Sequence, residues 1–312
     1  MAHDTDGPVV VGVDFSAPSQ TAIDYGAWQA EQQHRDLHLI HGSDEVGSRG
    51  VPAITGYDTA MLNAAEAKLA ELCEQVGAAH PDLLVTGRVR RWSGAGALVD
   101  ASQTAALVVV ASRGHGLVHQ LFAGSVAAQT TAHAMCPVIV VRPPQEGDRP
   151  ASAPVELPGK GPVLVGVDGS SFSRNAVDFA FAEAGRRGVP VVATSAWGPK
   201  DLGALSGRMP KGVDAGEWAH RIEQDAERVV AEAVAGLAER YPEVPMESVI
   251  VNDVSAYDGL LVAAHRVHPD LIVVGSRGAG GFRGLLLGSV SQQLVSHGPG
   301  TIAVVHSGHH AD

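Results

Sequence analysis

Leu271 to Val290 reads LIVVGSRGAGGFRGLLLGSV, an apolar run that breaks into glycines and closes on a Gly-Ser pair. An earlier copy, Leu107 to Val126, reads LVVVASRGHGLVHQLFAGSV, with Ala111 where the later copy has Gly275. Leu271 to Val274 has the length and β-branched content of a strand buried on both faces, as central parallel strands are. Gly275 and Gly278 carry no Cβ, so the chain there can take a positive φ or let a ligand touch the main chain. A helix is expected to follow, with Ser289 at its N-cap and the free amides of Gly288 to Val290 facing the loop and attracting an anion. The unit reads as strand, phosphate cradle, helix, and the chain uses it twice.

Each copy is preceded by a matching first strand that ends in an aspartate, VVVGVDFS at Val9 to Ser16 and VLVGVDGS at Val163 to Ser170. Asp14 and Asp168 thus fall at strand C-termini, where open α/β sheets collect ligands. Asp14 has two readings: ligand contact, or capping, with Ser16, of the helix that Pro18 helps to start. Between these landmarks apolar runs of strand length alternate with segments of helical period. Leu62, Ala65, Leu69, Leu72, Cys73 and Val76 mark one such amphipathic helix, and Ile222, Ala226, Val229, Val230, Ala233 and Leu237 mark its counterpart, expected over Glu217 to Arg240. Regular alternation of this kind implies an α/β fold, a doubly wound parallel sheet in each half. Arg142 to Pro162 is proline-rich and without apolar period, an extended connector. The expected organisation is a first domain over 1–142, a linker over 143–161 and a second domain over 162–312. Asp14 and Asp168 are 154 positions apart but Gly124 and Gly288 are 164 apart, so the second half carries a net insertion of ten residues. Much of it falls in Gly198 to Gly216, which reads as a lid or an ordinary loop.

The spacing Gly275-x2-Gly278-x9-Gly288-Ser289, together with the aspartate-ended first strand, resembles the nucleotide-binding signature of the universal stress protein family in its ATP-binding branch. The second copy matches at every motif position; the first matches at Gly114, Gly124 and Ser125 and departs at Ala111. The resemblance implies two tandem Rossmann-like five-stranded sheets of strand order 3-2-1-4-5. It implies ATP or a related adenine nucleotide as ligand, with Mg on the phosphates. Asp14 and Asp168 would hold ribose, Gly42 and its counterpart Ala196 would line the adenine pocket, and Val126 and Val290 would follow the Gly-Ser pairs at the ligand. Single-domain members dimerise through the last strand, so Val138 to Val141 and Thr301 to Val305, both apolar edges, are expected to pair within the chain as a pseudo-dimer, with a homodimer of whole chains as a further option. Arg113 and Arg277 share one loop position, where each is either a phosphate ligand or a solvated side chain.

Other chemistries fail on spacing. No lysine follows a Gly-x4-Gly pattern as a Walker A loop requires. A dinucleotide fingerprint counted from Gly278 and Gly280 meets Arg283 at its third glycine. His115 and His119 have the separation of a zinc helix but lie in a glycine loop without the glutamate of a metalloprotease. A formal charge of −12 disfavours nucleic acid as a partner. Cys73 and Cys136, the two cysteines, form neither a disulfide framework nor a CxxC pair and read as buried thiols. No apolar run approaches a membrane span, and the polar start MAHDTDGP lacks the regions of a secretory signal, so a soluble, cytoplasmic protein is expected. Three functions stay open: a nucleotide-binding sensor or signalling protein, a slow ATP hydrolase or adenylating enzyme on the same fold, and a stress protein without ligand. Asp168, Ser276 and Ser289 suit holding ribose and phosphate better than moving protons, so turnover well below the roughly 1 to 10³ per second of ordinary enzymes is expected. Asn252 and Asp253 stand where the first half has Arg90 and Arg91, so the two sites are not expected to be equivalent.

Overall fold

A computed structural model describes residues 6–43, 57–112, 124–142, 159–197, 215–252, 255–278 and 286–306. In the first half β1 (Val9–Gly12), α1 (Ala17–Gln33), β2 (Leu37–Gly42), α2 (Tyr57–Ala79), β3 (Val85–Arg90), α3 (Gly94–Ala101), β4 (Leu107–Ala111), α4 (Ser125–His133) and β5 (Val138–Val141) alternate without exception. The second half repeats them as β6 (Val163–Gly166), α5 (Ser171–Arg187), β7 (Val191–Trp197), α6 (Ala215–Val234), α7 (Leu237–Arg240), β8 (Met246–Asn252), α8 (Ala256–Val267), β9 (Leu271–Gly275), α9 (Ser289–His297) and β10 (Ile302–Val305).

Each half is parallel and ordered 3-2-1-4-5, as expected, but the two do not remain separate sheets. Together they make one ten-stranded sheet, β3-β2-β1-β4-β5-β10-β9-β6-β7-β8. The join is the antiparallel pair β5 and β10, with Ile302 opposite Val140 and Val304 opposite Val138. Both strands are buried at every residue, so each apolar edge covers the other.

Strand alternation sorts the core onto the two faces. Val9, Val11, Leu37, Leu107, Leu271 and Val273 pack with α1, α2, α5 and α6 on one side, and Val10, Val108, Val110, Ile272, Val274 and Ile302 pack with α3, α4, α8 and α9 on the other. Each of these layers runs through both halves. The long helix expected over Glu217 to Arg240 is broken: Gly236 takes φ +78° and starts the separate turn α7. A left-handed glycine ends α-helical hydrogen bonding locally, which an apolar period carried through to Leu237 conceals.

The seam also brings α1 and α5 together. Gln29 and Glu183, equivalent positions of the two halves, meet with Gln29 Nε2 donating to Glu183 Oε2 at 2.8 Å, and both are fully buried. Arg187 donates to the same oxygen at 2.9 Å and to the Tyr25 hydroxyl at 2.6 Å, and its guanidinium lies 5.0 Å from the Trp28 ring centre. Burial would raise the Glu183 carboxyl, but the charges of Arg186 and Arg187 overcome it and hold the pKa below the ordinary 4.5.

Candidate functional site

In both halves the glycine loop leaves the sheet and is pinched at its base by the main chain. The Gly288 N–H donates to the Ser276 carbonyl at 2.8 Å, and the Gly124 N–H to that of Ser112 at 2.7 Å. Ser276 and Ser112 are themselves tied to the neighbouring strand through Val305 and Val141, each at 2.8 Å. The pinch brings the start of the cradle helix next to the end of the central strand whatever lies in the loop between. It forms in the first half despite Ala111.

The helices that start there differ from their neighbours. Ser16, Ser93, Ser170 and Ser255 cap α1, α3, α5 and α8 through their hydroxyls. By contrast α4 and α9 begin after Gly124 and Gly288, with no side-chain cap. Ser289 was expected at the N-cap, but Gly288 holds that place in extended conformation and Ser289 is the first helical residue. The pinch favours a small residue there: a Cβ would stand 3.3 Å from the Arg277 Cα and 3.4 Å from the Gly278 nitrogen, a tight fit that the neighbours would have to relax slightly to admit. Amides that a serine would otherwise satisfy therefore remain available to an anion.

Asp168 lies across from this helix end. Its Oδ1 accepts from the Ser170 N–H at 3.0 Å, which leaves Oδ2 turned to the loop. A Cβ added to Gly278 would fall 2.6 Å from that Oδ2. Asp14 repeats the arrangement, accepting from the Ser16 N–H at 3.0 Å and from the Ser16 hydroxyl. The serines are the caps and the aspartates orient them, so the carboxylates face the strand ends without being needed as caps themselves.

Gly275 has a different use from the one its position suggests. A Cβ there would stand 2.8 Å from the backbone carbon of Phe172, so the glycine lets α5 approach β9. The first half has Pro18 at the position of Phe172, and there Ala111 is accommodated. Gly42 likewise makes room for Gly94, whose nitrogen would be 2.6 Å from an added Cβ, and its counterpart Ala196 meets Gly259. Val290 packs against the core, whereas Val126 is 40% exposed beside Gly94. Arg277 is not loosely solvated: its guanidinium lies 4.5 Å from the Phe172 ring centre, and its buried Nε has no hydrogen-bond partner. Gly114, Arg113, His115 and His119, Gly280 and Arg283, Asp253, linker residues 143–158 and the 198–214 part of the inserted segment lie outside the described residues.

Sequence reasoning missed Phe15. It has φ +62°, a left-handed conformation that strains a bulky residue, and its counterpart is Gly169 at φ +79°. Its ring lies 4.7 Å from that of His41 and under the Lys68 ammonium at 4.5 Å. The signal was present in the paired strings DFS and DGS, where a phenylalanine replaces a glycine beside the motif aspartate. Cys136 is buried and its thiol is pushed up to about 12, and Cys73 is half-buried on α2. Among the described residues no group of three His, Cys, Asp or Glu could hold a metal ion, and no helix is long and apolar enough to cross a membrane. A cleft of about 730 Å³ opens on the seam between Arg35, Asp178, Arg186, Tyr241 and His306, and none of the cradle residues lines it.

A doubly wound parallel sheet with helices on both faces defines a class of α/β proteins, in which ligands are collected at the carboxyl ends of the strands. Comparison narrows the class. The pattern of the universal stress protein family matches residues 7–142 and again 161–306. A universal stress protein of Mycobacterium tuberculosis is 34% identical, covering 97% of this chain and 96% of its own length. One from Mycolicibacterium smegmatis is also 34% identical, over 96% of this chain and 97% of its own. A crystal structure of a universal stress protein from Archaeoglobus fulgidus shares the fold over 97% of this chain and 99% of its own, with TM-score 0.67 at 17% identity. The chain belongs to the universal stress protein family, as a tandem member with two such domains.

Proposed function

We propose that the second half binds ATP or a closely related adenine nucleotide, and that the protein acts as a nucleotide-dependent stress or signalling component. The observation that carries this reading is Gly278 against Asp168, where an added Cβ would fall 2.6 Å from the carboxylate. A backbone without side chains between an aspartate and an uncapped helix end is a cradle for a sugar and its phosphates. In this reading Asp168 accepts from the ribose hydroxyls, the amides of Gly288 to Val290 take phosphate oxygens, and Arg277 adds a guanidinium from the loop's first turn. A divalent cation such as Mg would be carried by the phosphates, since the described side chains supply no set of ligands for it. The first half offers the same pinch and the same bare helix end at Gly124 and Ser125, beside Asp14 and Gly42, and is the second, inequivalent site.

Binding fits this arrangement better than turnover. Asp168 is engaged with the α5 cap, and Ser276 is 1% exposed. Mass spectrometry of small molecules released by denaturing the purified protein tests the reading. ATP or ADP in a ratio approaching one per chain is the expected result, and protein that carries none and takes up none from millimolar ATP would refute it.

A further inference from the structure

Two side chains cross the seam and end on the helices that form the opposite half's cradle. Arg142, just past β5, donates through Nη2 to the carbonyls of Leu294 at 3.0 Å and Val295 at 2.6 Å, in the last turn of α9. His306, just past β10, has its Nε2 2.9 Å from the Thr131 carbonyl, in the last turn of α4, and its Nδ1 3.1 Å from the Cys136 carbonyl. Arg142 and His306 are separated by 164 positions, as are Thr131 and Val295, and Gly124 and Gly288, so these are the same contact made in both directions. Each brace also starts beside a loop. Val141 accepts from Ser112 and Val305 from Ser276, one residue before the bracing side chain.

The last carbonyls of a helix lack intrahelical donors and carry its negative end. Val295 and Thr131 are of this kind, while Leu294 also accepts from the Gly298 N–H at 2.7 Å. A donor there fixes the last turn, and cooperative hydrogen bonding carries that order along a short helix towards the end that would face an anion. We propose that Arg142 and His306 are positioning residues that brace each cradle helix from the opposite half, so that filling one cradle changes the affinity of the other. The proposal rests on reading the loops as anion cradles.

The two braces are not alike. A guanidinium is always charged, whereas an imidazole offers two N–H groups to two carbonyls only when protonated. Burial holds His306 below the ordinary 6.5, against the pull of the Thr131 and Cys136 carbonyls, and the charge of Arg277 lowers it further. The other charged or titratable groups lining the cleft with His306 are Asp178, Arg186, Arg240 and Tyr241 from the second half and Asp6, His34, Arg35, Asp36 and His38 from the first. An anion beside Arg277 offsets that charge. Binding at the second cradle then draws a proton onto His306 and completes its second hydrogen bond to the first half.

The test uses the full chain, its Arg142→Met, Arg142→Lys and His306→Gln variants, hydrogen exchange of α4 and α9, and calorimetric titration with ATP. Arg142→Met is expected to speed exchange along α9, weaken ATP about five- to tenfold and make the two binding events independent, removing a coupling of ordinary size that the wild-type titration shows, with Arg142→Lys recovering part of it. Near pH 6.5, titrations in buffers of different ionisation heat should show more proton uptake by the wild type than by His306→Gln, the remainder coming from ATP's own terminal phosphate. Faster α9 exchange with unchanged ATP affinity, or equal proton uptake in both proteins, would overturn the proposal. If ATP gives no heat with the wild type, the nucleotide reading falls by itself. The brace is then decided by whether Arg142→Met loosens the amides of Ser289 to Gln292 at the cradle end as well as the last turn.

Discussion

Between Asp168 and Gly278 there is no room for a methyl group unless the carboxylate shifts, so the end of the first strand and the start of the loop lie side by side in the second half. Gly278→Ala would be cheap in stability, because the atom it meets is the far end of a side chain and not backbone. Its effect falls on the carboxylate's position. Gly278→Ala should therefore weaken ATP at least about tenfold in a calorimetric titration while shifting stability by less than about 1 kcal/mol. Wild-type affinity in a folded variant would mean that Asp168 is not used. Phe15 makes the contrast within the same molecule, since at the place of Gly169 it keeps a strained backbone and fills space beside Asp14 with a ring that His41 and Lys68 cover.

Elements were largely legible in the sequence because they are short, strongly patterned and repeated. Val9 to Val11 and Leu271 to Val274 could hardly be anything but buried strands, and α2 spans the apolar period from Leu62 to Val76. Less legible was what each glycine is for. Gly275 and Gly278 belong to one motif, yet the first lets β9 pack on α5 and the second stands against the Asp168 carboxylate. Sequence shows that a side chain is absent and not which neighbour fills the space. Gly275→Ala should accordingly destabilise by about 1–3 kcal/mol in chemical denaturation, as overpacking against backbone does. A neutral effect would show that α5 can retreat. Ser289 and Gly236 were misread for related reasons: the pinch at Gly288 and the left-handed turn at Gly236 are backbone events that an apolar pattern does not record.

At the scale of the whole molecule the halves form one sheet with charges sealed in its seam. No spacing rule connects Gln29 to Glu183 or Arg142 to Val295, which are more than 150 residues apart, so this layer was invisible before the fold was known. Only the apolar edges β5 and β10 announced it. Glu183 and Arg187 are 0% and 2% exposed, and removing one charge of such a pair leaves the other buried without its partner. Glu183→Gln should cost about 3–5 kcal/mol at pH 7. Because the folded pKa of Glu183 lies below the ordinary 4.5, the carboxylate's contribution is fully present above that value and is lost as pH falls through the folded pKa. The gap between wild type and variant, measured by denaturant titration, should thus narrow on going from pH 7 to below 4.5. A gap independent of pH would show that the carboxylate's charge does not stabilise the seam.

The central claim, an adenine nucleotide held at the bare end of α9, is tested most directly by titrating ATP into the wild type and Gly288→Asp. The substitution puts a carboxylate where the phosphates would lie, 3.3 Å or more from the surrounding backbone at its Cβ. The account predicts saturable binding to the wild type and a loss of at least about a hundredfold in a variant that keeps its circular dichroism and cooperative unfolding. Equal affinity in the two folded proteins would contradict it.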